Sequence, residues 1–167
     1  MKFLLIASLA ESLINFRGPL IAALQARGFQ VHVAAPDLPE SNPVRRQLQA
    51  AGVVVHDVAM RRTGTNPAAD LRTLWSLWRL MRRLRPEHVL GYTIKPVIYG
   101  SLAAWLAGVP RRFALVTGLG YTFQGEGKRN GLQEVVQRLY AIALARVHTV
   151  FFQNPDDETL FRQRKLV

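Results

Sequence analysis

Short apolar runs alternate with helical patterns from one end of the chain to the other, and this alternation constrains the fold more than any other feature. Lys2–Ser8 is apolar without alternation after Lys2, as in a strand buried on both faces. Phe16–Arg27 follows with Leu20, Ile21, Ala23 and Leu24 at helical spacing, and Gly28 stops it. The same grammar predicts strands at Gln30–Ala35, Val53–Val58, His88–Tyr92, Arg112–Val116 and Thr149–Gln153. It predicts helices from Pro43 to Ala51, Asp70 to Leu84, Pro96 to Ala107, Leu132 to Arg146 and Pro155 to Arg164. Parallel neighbours need crossovers, and crossovers are right-handed. The pattern therefore predicts one α/β domain over 1–167, a Rossmann-like doubly wound parallel sheet of about six strands in the order 3-2-1-4-5-6.

Such a sheet takes its ligand at the carboxyl ends of the strands, so the loops there are read first. The first, Ser8 to Gly18, has a single glycine at its end, which excludes an ordinary dinucleotide fingerprint. Gly125-Glu126-Gly127-Lys128-Arg129 partly matches a phosphate-binding P-loop. It has Thr122 where the first glycine belongs and Arg129 where Ser or Thr would hold magnesium. The absence of cysteine removes disulfides, thiolate metal sites and thiol nucleophiles, and the four histidines include no ligand-spaced pair, so no metal site is expected. Met1 to Ala10 mimics a short signal peptide, but its apolar run is at the short limit and fits a first buried strand better. No apolar run approaches the roughly 20 residues of a spanning helix, so a soluble or peripheral protein is expected.

Three segments carry a signal. In the turn after the fourth strand, Tyr92-Thr93-Ile94-Lys95-Pro96, a lysine precedes a proline-started helix, where its ammonium and free N–H groups can face an anion. A solvated surface lysine is the plain alternative. The turn after the fifth strand, Thr117-Gly118-Leu119-Gly120-Tyr121-Thr122-Phe123, has two glycines that let backbone approach a ligand and aromatics that suit a sugar ring, or simply tuck into the core. In the third segment, the helix Asp70–Leu84, apolar residues including Trp75 and Trp78 cover an arc of roughly 220° at 100° per residue. Arg72, Arg79 and Arg83 form a stripe opposite. One packing face needs less, so this helix is expected either to meet an anionic leaflet or to be covered by a neighbouring helix or domain.

Tyr92 to Ala104, Val116 to Phe123 and Phe151-Phe152-Gln153-Asn154-Pro155-Asp156-Asp157 resemble family 4 retaining glycosyltransferases of the GT-B fold. The branch most similar assembles bacterial surface polysaccharides, lipopolysaccharide and lipid-linked glycans, including enzymes that act on undecaprenyl-diphosphate-linked sugars. The resemblance implies that this chain is the N-terminal, acceptor-side domain, inactive alone. The C-terminal domain, with the nucleotide-sugar site and the family's paired glutamates, would be missing. It implies metal-independent, cofactor-free transfer from a UDP-sugar to a lipid-linked glycan acceptor, on the cytoplasmic, inner face of the cell membrane. The substrate-binding residues it suggests are Asn15, Arg17, Thr93, Lys95, Thr117, Gly118, Gly120 and Tyr121. Arg17 and Lys95 would attract diphosphate, Thr93 and Thr117 would donate hydrogen bonds, and Gly118 and Gly120 would approach the sugar beside Tyr121. Arg72, Trp75, Trp78, Arg79 and Arg83 would touch the anionic membrane. Many relatives have a histidine in the turn after the fifth strand. Here it reads Gly118-Leu119-Gly120, so no catalytic residue is carried over to this domain.

Two other classes compete. Lysine and arginine number 22 against 11 acids, a net charge of +11, which attracts polyanions. A basic nucleic-acid-binding module rests on that sum alone, without a recognisable motif, and nucleic acid is not expected. A partner-binding module without catalysis would use the apolar helix.

Overall fold

The computed structural model describes residues 1–61, 64, 66–118 and 131–167. Six strands, β1 (Lys2–Ile6), β2 (Gln30–Ala35), β3 (Val54–Asp57), β4 (His88–Tyr92), β5 (Arg111–Val116) and β6 (Thr149–Phe152), form one sheet in the order β3-β2-β1-β4-β5-β6. Every pairing is parallel. The order is the one the alternating pattern predicts. It reverses between β1 and β4, and the loops leaving these two strands diverge and open a crevice at their carboxyl ends.

The helices are α1 (Glu11–Asn15), α2 (Gly18–Ala26), α3 (Pro43–Ala50), α4 (Pro67–Leu84), α5 (Ser101–Leu106), α6 (Gly131–Leu144) and α7 (Pro155–Gln163). Three begin with the same device, an asparagine cap before a proline. The side chains of Asn42, Asn66 and Asn154 accept from Val44, from Ala68 and Ala69, and from Asp156 respectively. The proline that follows has no N–H to leave unsatisfied.

Two stretches depart from the sequence pattern. The loop expected between Ser8 and Gly18 contains α1, because Leu13 turns inward and is fully buried. The helix expected from Phe16 starts at Gly18, since Pro19 is tolerated only in a first turn. The helix expected from Pro96 opens as a five-residue π-helical turn, Pro96–Gly100, before α5.

The core divides by sheet face. Phe3, Leu5, Val31 and Val33 pack with Leu13, Ile21, Leu24 and Leu48 of α1, α2 and α3. On the other face Leu4, Ile6 and Ala34 meet Leu77 and Met81 of α4 with Ala103 and Ala104 of α5. Because α5 lies beside α4, Leu74 and Trp78 pack into this second cluster as well. This explains most of the wide apolar arc of α4: a neighbouring helix covers a second flank. Leu77 is fully buried, and Leu80 is half-buried.

The same face holds a histidine pair, His32 buried and His56 half-buried. His32 Nδ1 and His56 Nε2 lie 3.0 Å apart, with stacked rings. Burial, then the neighbouring His56 and Lys2, lowers the pKa of His32 to about 4. That of His56 is lowered by burial and by Arg45 and Arg83. A histidine whose folded pKa lies below its unfolded value contributes stability that is complete above the unfolded pKa of about 6.5 and declines as pH falls toward 4. Urea midpoints at pH 7 and pH 5 should therefore differ more in wild type than in His32→Gln. Equal differences would mean that the pair does not govern acid sensitivity.

Candidate functional site

A cleft of about 520 Å3 opens at the switch point. The β1 loop and α1 supply Ser8, Leu9, Ser12, Phe16 and Arg17; the β4 turn supplies Tyr92, Thr93, Ile94 and Lys95; Thr117, Gly118 and Gln153 close it. A larger hollow of about 720 Å3 lies at the ends of β2 and β3, rimmed by Asp37, Asp57, Arg61 and Arg72. We place the site in the smaller cleft, because it lies where the strand order reverses and gathers several loops.

Its floor is built of hydroxyls. Ser8 Oγ and Thr93 Oγ1 lie 2.8 Å apart. Ser12 Oγ donates to the carbonyl of Leu9 at 2.6 Å and lies 2.8 Å from the Tyr92 hydroxyl. Burial raises the Tyr92 pKa, against the opposing effects of the Ser12 bond and the Arg17 charge. The guanidinium of Arg17 stands 4.7 Å from the centre of the Tyr92 ring, a cation–π contact. Its Nε is buried and meets no hydrogen-bond partner among the described residues.

The turn after β4 is under strain. Thr93 holds a φ of 69°, a left-handed conformation that a β-branched residue adopts at a cost of about 1–3 kcal/mol. Gly91 permits the turn to fold back: a Cβ there would stand 2.5 Å from the Pro96 carbonyl oxygen. A strained threonine followed by a π turn, both at a ligand cleft, is the arrangement in which irregular backbone is usually retained for function.

Lys95 lines the cleft but is not a free charge. Its Nζ donates to Asp70 Oδ1 at 2.7 Å, and the two side chains are 10% and 11% exposed. Burial, and then the charge of Asp70 in the first turn of α4 and a hydrogen bond to it, raises the pKa of Tyr99. The turn pattern predicts either an ammonium that faces an anion together with helix N–H groups or a solvated surface lysine. Instead the lysine tail crosses to α4 and is neutralised there.

The cleft thus collects Arg17, Thr93, Lys95, Thr117 and Gly118 of the expected substrate-binding residues. Gly118 has a φ of 141°, which glycine alone adopts readily. Asn15 is exposed at the end of α1 and does not line the cleft. Gly120 and Tyr121 lie outside the described residues. Ser8, Ser12, Phe16, Tyr92 and Gln153 were missed. Tyr92 and Gln153 stand inside the stretches that carry the resemblance, and Ser8, Ser12 and Phe16 in the loop after the first strand, but no pattern singles these residues out.

On α4 the expected membrane set is divided. Arg72, Arg79 and Arg83 are exposed together with Trp75, which is 53% exposed, and Arg79 lies over the Trp75 ring at 5.2 Å. Trp78 corrects that expectation: it packs into the core under α5. Leu71, one turn before Trp75 and 67% exposed, is the other apolar residue on the outer stripe. No helix among the described residues is long and apolar enough to cross a membrane, and none of their His and carboxylate groups cluster in a metal-binding set.

Comparison with known proteins gives this geometry a context. The profile described as glycosyl transferase 4-like matches residues 2–154. The chain is 30% identical over 152 residues to the N,N'-diacetylbacillosaminyl-diphospho-undecaprenol alpha-1,3-N-acetylgalactosaminyltransferase of Campylobacter jejuni, covering 90% of this chain and 39% of that protein. It is 35% identical over 94 residues to the UDP-N-acetylglucosamine–N-acetylmuramyl-(pentapeptide) pyrophosphoryl-undecaprenol N-acetylglucosamine transferase of Brucella canis, covering 52% and 24%. Among solved structures, MurG of Acinetobacter baumannii superposes with a TM-score of 0.57 at 18% identity, over 92% of this chain and 41% of that one, a likeness of fold. The chain spans about two fifths of the length of the Campylobacter relative. With more than nine tenths of its residues inside the matched profile, the chain belongs to the glycosyl transferase 4-like family.

Proposed function

We propose that this chain is the acceptor-side half of a glycosyltransferase that moves a sugar from a UDP-sugar to an undecaprenyl-diphosphate-linked glycan. One observation carries the reading: a hydroxyl-floored cleft, bordered by a guanidinium that has no carboxylate partner among the described residues, sits at the switch point of a chain in this family. Hydroxyls of Ser8, Thr93 and Thr117 match those of a sugar, and a guanidinium matches phosphate oxygens. The two curated relatives described above are named for transfer to undecaprenyl-linked diphosphates, which supports the acceptor class. Retention of anomeric configuration, independence of metal and a place in surface-polysaccharide synthesis belong to the same proposal.

A lipid-linked acceptor stays in its bilayer, so the protein must come to it. We assign that task to the outer stripe of α4, with Leu71 and Trp75 among Arg72, Arg79 and Arg83, on the inner face of the cell membrane. Asp70, the residue before Leu71, reaches Lys95 at the cleft wall. The lipid face and the sugar site therefore meet within one helical turn.

The test is sugar transfer. Incubated with UDP-sugars and undecaprenyl-diphosphate-linked acceptors, the protein carrying its C-terminal domain should form product, and the 167-residue chain alone should form none, because donor binding needs the second wall of the cleft. Turnover by the chain alone at the rate of the longer protein would overturn the half-enzyme reading. No turnover by either, across UDP-sugars, would overturn the transferase assignment.

A further inference from the structure

Two cations border the cleft, and their surroundings differ in kind. Arg17 has no carboxylate partner among the described residues, and its buried Nε has no acceptor there. Lys95 touches Asp70 at 2.7 Å in a nearly buried pair, and a lysine and an aspartate in contact carry no net charge. An ammonium has three N–H donors, and the bond to Asp70 uses one. The Lys95 end of the cleft is therefore lined by groups without net charge: the paired Lys95 and the hydroxyls of Ser8, Thr93 and Thr117. Groups of that kind read hydroxyls, whereas phosphate favours an unpaired guanidinium.

We infer that the cleft is polarised, with an anion subsite at Arg17 and an uncharged, hydroxyl-reading subsite at Ser8, Thr93 and Lys95. Asp70 is the positioning residue that keeps the second subsite from taking phosphate. The inference rests on the reading that this cleft takes a sugar diphosphate, and it adds the direction: diphosphate toward α1, sugar toward α4. Asp70 lies outside the cleft lining and acts only through Lys95, by fixing where its ammonium stands and by cancelling its charge. Without Asp70 the cleft would hold two free cations and would lose the distinction between its ends.

Inorganic pyrophosphate is the probe, titrated into the 167-residue chain by calorimetry. Wild type should bind it, and Arg17→Gln should weaken binding roughly ten- to a hundred-fold, the worth of a charge-assisted contact. Lys95→Met/Asp70→Leu, which removes the pair as a unit, should retain the wild-type affinity. Asp70→Asn keeps an acceptor for Lys95 but frees its charge, and should bind pyrophosphate roughly tenfold more tightly. Loss of affinity in the double variant equal to that of Arg17→Gln would overturn the proposal, since Lys95 would then itself hold phosphate. Absence of pyrophosphate binding by wild type would overturn it too. If Asp70→Asn does not fold, Arg17→Gln and the double variant still decide. Transfer assays on the longer protein are a separate readout, so a failed transferase reading and a failed polarity are told apart.

Discussion

Lys95→Ala should destabilise the chain by about 3–5 kcal/mol, because removing one partner of a buried ion pair strands the other charge. Asp70 would be that charge. Its carboxylate sits among side chains of α4 and the π turn with little access to water. Against a typical domain stability of about 5–15 kcal/mol, the melting temperature should fall by on the order of 10 °C. Asp70→Ala should cost a similar amount by stranding Lys95. The double variant Lys95→Met/Asp70→Leu should recover most of the loss, since replacing both partners of a buried pair by apolar groups is often neutral or better. Thermal and urea unfolding of the four proteins measures this. Single variants as stable as wild type would show that water reaches the pair, and the buried-charge account would fail. The same measurements guard kinetic work, because any drop in transfer by Lys95→Ala must exceed the fraction unfolded before it speaks for the cleft.

Arg72/Arg79/Arg83→Ser should abolish most binding to anionic vesicles. Each arginine near such a surface is worth about 1 kcal/mol, so three supply roughly 3 kcal/mol, or about a hundred-fold in partitioning. The attraction should weaken with added salt, because the Debye length shrinks from about 10 Å at 0.1 M to about 3 Å at 1 M. Trp75→Ser should weaken binding through loss of headgroup-level contact, whereas Trp78→Phe should leave it unchanged, since Trp78 packs against the core. Co-sedimentation with vesicles at low and high salt, with circular dichroism as a folding control, provides the measurement. Equal binding by wild type and triple variant, or none by either, would mean that these arginines serve only solubility.

Strands, helices and sheet order were legible because each is local or follows from chirality. Lys2–Ser8 fits a strand buried on both faces better than a signal peptide, and successive βα units wind right-handed. What failed was long-range or ambiguous. The Lys95–Asp70 pair joins residues 25 apart in sequence, and Ser12–Tyr92 joins residues 80 apart. Neither juxtaposition leaves a sequence pattern, so neither the pairing of Lys95 nor the contact of Ser12 with Tyr92 is legible. Trp75 and Trp78 are both compatible with a wide apolar arc. Only the position of α5, which follows from two crossovers packing side by side, decides which one faces outward. Arg17 is legible as a cation in the loop after β1, but its place over Tyr92 is not.

The position of β1 has a consequence for the birth of the molecule. Of the six strands of the sheet this one is made earliest, and it ends in the middle, with β2 on one side and β4 on the other. Phe3 is aligned with Val31 and with His88, so its second neighbour is synthesised 88 − 3 = 85 residues later. At about 5–20 residues per second, a ribosome needs roughly 4–17 s to cover that distance. Until β2 is made both backbone edges of Phe3, Leu4, Leu5 and Ile6 are open, and from then until β4 is made one edge stays open. The strand that finally organises the whole sheet is thus the one most in need of a chaperone while the chain is being made, and synonymous codons that slow translation before β4 should lengthen that exposure.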